Sequence, residues 1–333
     1  MGAAVLSFIG TGAVVVAAGI MLGTAADRIA ALTGLGRIWT GAVLLAVATS
    51  LPELVTDVSA VRIGAANLAA GDLFGSNLTN MLILALLGLL PARKRIVEDA
   101  SNAITGCLAI LLNALAVAAL MVRPQLTLAG LQLHSVVLPV VYLFGMRVVY
   151  LQGATVSQPS GVTVGARFAI LGEAAKPLAR SILIFTLGAI MIFFAAPVMA
   201  SAAQRVALVS GLGSSFVGTW VLGMTTALPE LVTSLTAAAI GATDLGVANL
   251  FGSCAFNMVI FFVMDLASPK GSVFSVLEPV HVLSGSLSMV LITLGLASVV
   301  YRRNGRLAII EPGSILMMAG YALSIGLVFA YTR

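Results

Sequence analysis

Apolar blocks of about 20 residues, separated by short polar or Gly/Pro-rich breaks, fill this chain from end to end. A hydrocarbon layer of roughly 30 Å asks for helices of that length, and only helices and closed barrels can satisfy their backbone groups inside it. The pattern predicts ten spans, at residues 3–24, 38–61, 68–90, 102–121, 126–149, 180–200, 211–239, 245–266, 277–300 and 313–331. A β-barrel would show short alternating segments, whereas these blocks are continuous. The first block lacks a basic leading region and reads as a retained helix rather than a signal peptide. The expected fold class is an all-α polytopic membrane protein.

Composition supports this. Of 333 residues 60% are hydrophobic and only 9% charged, against roughly a quarter charged in soluble domains. The formal net charge of +5 reads as topology. Arg28, Arg37, Arg93, Lys94, Arg95, Arg147, Arg167, Lys176, Arg180, Arg302, Arg303 and Arg306 fall on one side of the ten-span layout, and Arg62, Arg123, Arg205, Lys270 and Arg333 on the other. The richer side is expected in the cytoplasm, with both termini outside. A nucleic-acid partner would need a basic soluble face, which the chain lacks, and no obligatory protein partner is evident. Economy of loops points to a prokaryotic inner membrane. Cys107 and Cys254 lie within predicted spans, where thiols serve as small apolar residues. The basic loop at Ala92–Arg95 reads as a positive-inside anchor. The longest polar link, 151–179, is too short for a soluble Ca2+-sensing domain, and it divides the chain into halves of five helices, residues 1–165 and 166–333.

The halves repeat. Shifted by 177 positions, Thr49–Leu82 aligns with Thr226–Val259 without a gap, and 18 of the 34 pairs are identical. Five helices separate the copies, so the second enters the membrane from the opposite side, an inverted-topology repeat. Secondary transporters often follow this plan, with the site at mid-membrane where the copies meet. The repeats occupy about residues 45–90 and 222–266.

Chemistry recurs with the repeat. Pro52-Glu53 and Pro229-Glu230 stand in the middle of apolar spans. Proline inside a helix removes one hydrogen bond and displaces the carbonyl four residues back, here that of Ala48 or Thr225. Carbonyl oxygens are thereby expected beside a carboxylate that must face a cavity, a partner or an ion at that depth. The second arms read GDLFGSNLTN and ANLFGSCAFN. At helical spacing one face carries Asp72, Ser76 and Asn80, and its counterpart Asn249, Ser253 and Asn257. Gly75 and Gly252 beside these faces would let two backbones approach. With Thr49, Ser50 and Thr226 the donor set is all hard oxygen, which suits Ca2+ and Na+ better than zinc, copper or iron. Mg2+ would tend to keep its waters. His134 and His281 are isolated and read as structural or interfacial.

TSLPELVT followed by GSNLTN, and TALPELVT followed by GSCAFN, resemble the two α-repeats of the cation/Ca2+ exchanger superfamily, nearest to its prokaryotic Na+/Ca2+ exchangers. The resemblance implies exchange of Ca2+ for several Na+ by alternating access, with the first and sixth helices sliding against the rest. It also implies Glu53 and Glu230 as central Ca2+ ligands that contact Na+ too, with Thr49, Ser50, Ser76, Asn80, Thr226 and Ser253 at flanking sites. No organic cofactor is implied; Ca2+ and Na+ are the bound cargo.

Departures complicate this. Asn257 stands where the family commonly has aspartate and Ala227 where it commonly has serine, both losses of ligand capacity. Asp72 replaces the usual asparagine, and Asp57 is an added carboxylate whose repeat partner is Ser234. These changes open H+ as an alternative driver, although H+-coupled members usually carry a different phrase around the glutamate. Other divalent cargo, Mg2+ or Mn2+, and a passive channel remain open. An intramembrane aspartyl protease built on Asp57 and Asp72 is a distant alternative, because no GxGD phrase surrounds Asp72.

Overall fold

Among the described residues nine helices are long and apolar enough to cross a membrane, and a tenth crossing is a bent pair, Arg37–Thr49 and Leu51–Arg62, meeting at 41°. The computed structural model describes residues 2–89, 100–122, 127–128, 131–156, 164–208, 214–269, 271–300 and 312–332. The basic loop at Ala92–Arg95 and the cations at 123, 270, 302, 303, 306 and 333 lie outside them.

The elements are α1 (Gly2–Thr33), α2 (Arg37–Thr49), α3 (Leu51–Arg62), α4 (Ala66–Leu89), α5 (Ala100–Val122), α6 (Leu133–Val156) and α7 (Val164–Leu208) in the first part of the chain. The second part holds α8 (residues 214–226), α9 (Leu228–Ala239), α10 (Thr243–Ala267), the short α11 (Val273–Val276), α12 (Val280–Val300) and α13 (Pro312–Tyr331). Two departures from the sequence reading stand out. A two-stranded antiparallel ribbon, Thr127–Leu128 with Leu131–Gln132, precedes α6, so the fifth crossing begins at Leu133 rather than at 126. Part of the stretch read as a polar link is helical, because α7 begins at Val164. Residues 164–180 hold five Ala, with Leu, Arg, Lys and a single Glu among the rest, good helix formers whatever their hydropathy.

The best-buried crossings are α4 and α10, whose apolar windows are 83% and 78% buried against 24% for Lys176–Met199 in α7. They carry the GS motifs of the two repeats. Leu183, Leu187, Ile190 and Phe194 of α7 are exposed, a surface that water would not tolerate and lipid does. Equivalent π-helical turns, Thr40–Leu45 in α2 and Gly218–Leu222 in α8, lie against the opposite copy's motif helix. A methyl group at Gly75 would overlap the carbonyl oxygen of Thr219, and one at Gly252 that of Ala42. Residue types that permit this approach are what membrane helices use where backbones meet.

The long helices pack crosswise. α1 lies along α7, with Gly188 over Ala18 and Leu22. α1 also bears on α9, where Gly19 faces Val232 and Gly23 faces Thr233 and Thr236. α7 packs on α3.

Candidate functional site

The motif phrases break their helices at equivalent points. Ser50 ends α2 and caps α3 with φ −86° and ψ 10°, and Ala227 does the same between α8 and α9 with φ −76° and ψ 2°. Pro52 and Pro229 stand in the first turn of the new helices, where the missing N–H is no loss. The sequence predicted a proline kink inside a continuous helix. Instead each proline starts a half-helix, because its ring clashes with a continuing helix behind it and suits a first turn. Glu53 and Glu230 consequently occupy the first turns of α3 and α9, and the helix dipole there favours negative charge. The preceding half-helices end beside them, and helix ends leave carbonyls without intrahelical partners.

Every candidate ligand named by the sequence is fully buried: Thr49, Ser50, Glu53, Asp72, Ser76, Asn80, Thr226, Glu230, Ser253 and Asn257. Ser76 donates its hydroxyl to Glu53 Oε1 at 2.9 Å, within the first copy. Ser50 donates to Glu230 Oε1 at 3.2 Å, and Thr226 donates to Asp72 Oδ1 at 2.9 Å, both across the copies. Thr49 meets Asn249 Oδ1 at 3.3 Å. The second carboxylate oxygens of Glu53, Glu230 and Asp72 find no donor, nor do both oxygens of Asp57, both polar atoms of Asn80, Asn257 Oδ1 and Ser253 Oγ. Buried polar atoms of native proteins are nearly always satisfied. A concentration of acceptor oxygens with no donors is the environment a cation supplies a partner to.

Not all predicted residues converge equally. Asn257 gives its amide N–H to Asn77 Oδ1 at 2.9 Å rather than to a carboxylate. Asn77 donates to Asn113 Oδ1 at 3.1 Å and to the Cys254 carbonyl at 3.3 Å, and Ser288 also donates to Asn113 Oδ1 at 3.2 Å. Asn77, Asn113 and Ser288 thus form a polar support that the sequence reading did not single out. The available signal was the burial cost of a lone amide in the apolar run of α5. His281 meets Asn67 Oδ1 at 3.2 Å, and His134 approaches Ser272 and stacks edge-on against Phe274. Both histidines serve structure.

Among the described residues no three His, Cys, Asp or Glu side chains converge as a metal cluster. Carboxylates instead come in twos, completed by hydroxyls and amides. Such a site lacks the soft or nitrogen donors that hold zinc or copper.

Comparison with known proteins fits this geometry. The family model described as sodium/calcium exchanger protein matches residues 3–151 and 180–330. The chain is similar to the sodium/calcium exchanger MaX1 of Methanosarcina acetivorans, at 52% identity over 61 residues, 18% of this chain and 17% of that protein. The alignment thus spans about a sixth of the relative's length. A solved structure of the sodium-calcium exchanger NCX_Mj soaked with 10 mM Na+ and zero Ca2+ superposes with TM-score 0.71 and 21% identity, covering 98% of this chain and 99% of that one. The same exchanger soaked with zero Na+ and Ca2+ gives 0.69 and 20%, with 98% and 99% covered. At that identity the likeness is one of fold.

Proposed function

The chain belongs to the sodium/calcium exchanger protein family, and from that premise we propose that it is a secondary antiporter exchanging Ca2+ for Na+ by alternating access at a mid-membrane site shared by both repeats. The observation that carries the reading is the pair Glu53 and Glu230. Each is buried in the first turn of a half-helix, each takes one hydroxyl on one oxygen, and each keeps its other oxygen open. Two carboxylates balance one Ca2+ or two Na+, so the two cargoes compete for the same oxygens and exclude each other. Thr49, Ser50, Ser76, Asn80, Thr226, Ser253 and Asn257 complete the coordination as neutral oxygens. The membrane is proposed to be an inner membrane, with both termini outside.

Coupling to H+ is the second reading. Its support is the loss of ligands at Ala227 and Asn257 together with the carboxyls of Asp57 and Asp72. A protease reading has less: Asp57 and Asp72 do face each other, but both are sealed from any peptide.

The test is Ca2+ uptake into proteoliposomes under an outward Na+ gradient, compared with an outward H+ gradient, using Glu53→Gln as the control. Uptake under the Na+ gradient alone, abolished in the variant, is the expected result. Uptake under H+ alone replaces Na+ as driver, and uptake under neither sets the Ca2+ reading aside.

A further inference from the structure

Of the places where the two copies differ, one leaves charge without a partner. Positions 57 and 72 correspond to 234 and 249 under the shift of 177. In the second copy this group is closed. Asn249 accepts from Thr49 at 3.3 Å and donates to Thr233 Oγ1 and Ser234 Oγ, both at 3.2 Å, and Ser234 donates onward to the Gly246 carbonyl at 3.3 Å. In the first copy the mirror contact survives, with Thr226 donating to Asp72 Oδ1 at 2.9 Å. Beyond it, where the second copy sets an amide against a hydroxyl, the first sets the carboxyl of Asp72 against that of Asp57. Both side chains are fully buried. Three of their four oxygens, Asp57 Oδ1 and Oδ2 and Asp72 Oδ2, meet no donor. Among the described residues the one ion pair is Arg37 with Asp27, so no Lys or Arg neutralises either acid.

We propose that Asp57 and Asp72, with the Thr226 hydroxyl, form a second cation site that exists in the first repeat alone and holds a small monovalent cation, Na+. A buried carboxylate without donors or counter-charge is among the costliest arrangements a fold can hold, and one Na+ between the two, with one proton kept on the pair, cancels both charges. Glu53 lies within electrostatic reach of each. A divalent ion at the pair would therefore crowd the Ca2+ proposed at the glutamates, and the repulsion between two doubly charged ions is twice that of a doubly and a singly charged one at the same distance. Charge balance also fixes when the site is filled. Ca2+ between Glu53 and Glu230 neutralises those two and leaves the aspartates as they were, so the Na+ stays when Ca2+ binds. Na+ at the pair is then a standing occupant, distinct from the Na+ that Ca2+ displaces. This last point rests on the exchange reading above; the occupancy of the pair does not.

The experiment is equilibrium binding of radioactive Na+ to the purified full chain, with and without saturating Ca2+. Wild-type protein is expected to retain Na+ in a roughly one-to-one ratio at saturating Ca2+, the second charge of the buried pair being cancelled by one proton. Asp57→Ser, which gives the first copy the residue of the second, and Asp57→Asn are expected to lose it. No retained Na+ in the wild type overturns the proposal without any variant being needed, and that is also the result if protons alone occupy the pair. Equal retention in folded variants overturns it too. Parallel binding of radioactive Ca2+ separates the two readings: wild-type protein that takes up no Ca2+ defeats the exchange function, while Na+ binding measured without Ca2+ still decides the pair.

Discussion

Ser50 and Glu230, 180 positions apart in the chain, are joined by a hydrogen bond of 3.2 Å. Thr226 and Asp72 link the copies in the opposite sense at 2.9 Å, from the second copy to an acid of the first. Each joins the break of one copy to an acid of the other, so neither half contains a complete set of partners for its own carboxylates. The site is a product of docking the two copies.

Glu53→Gln keeps the volume and the acceptor for Ser76 but removes the charge. Ca2+ uptake should fall on the order of 100-fold, since carboxylate count moves Ca2+ affinity over decades. Thermal stability should hold or rise, because a buried charge has been removed. Uptake and melting temperature measured on the same preparation check both parts, and near-normal uptake removes Glu53 from the ligand set.

Ser50→Ala strips Glu230 of its cross-copy donor. A hydrogen bond to a charged group contributes about 1.5–3 kcal/mol, so the variant should shift the half-saturating Ca2+ or Na+ concentration by roughly 10- to 100-fold. The complementary change, Ala227→Ser, restores a hydroxyl at the equivalent position near Glu53. Its Na+ dependence should move to lower concentrations, and an unchanged Na+ titration would mean that the serine does not reach the carboxylate.

Gly75→Ala places a methyl group on the Thr219 carbonyl. Overpacking of this kind costs about 1–3 kcal/mol, and here the obstacle is backbone, which has no rotamer to change. A lowered melting temperature and lost transport are expected. Gly10→Ala, where nothing lies within 4 Å, is the matched control and should leave both unchanged.

Asn113→Ala removes the acceptor shared by Asn77 and Ser288. Leaving the Ser288 hydroxyl without its acceptor, and Asn77 with the Cys254 carbonyl alone, should cost about 1–3 kcal/mol of stability. Because Asn77 also anchors Asn257, ion affinity should weaken by a smaller factor than in Glu53→Gln. A stability loss with no change in ion affinity would confine Asn113 to packing.

Much of this was legible beforehand. Block length gave the ten crossings, and the repeat brought both glutamates to notice, because a proline and a carboxylate in an apolar run have few structural reasons to recur. Other features depend on tertiary placement. The breaks at Ser50 and Ala227 follow from Pro52 and Pro229, but the π-helical turns before them lie against α10 and α4, a placement that no local pattern encodes. That Asp57 shares a helix face with Glu53 follows from their spacing of four; that it meets Asp72 requires knowing how α3 lies on α4. Asn113 and Ser288 are single polar residues without a motif. The helical start of α7 was hidden because hydropathy finds crossings, and residues 164–175 make a helix without being one.

The crosswise packing of the two long helices has a mechanical consequence. α1 leans on α9, which carries Glu230, while α7 leans on α3, which carries Glu53, and α1 and α7 are fastened to each other. They form a yoke across both half-helices. A displacement of either long helix would bear on both half-helices, and through them on both glutamates.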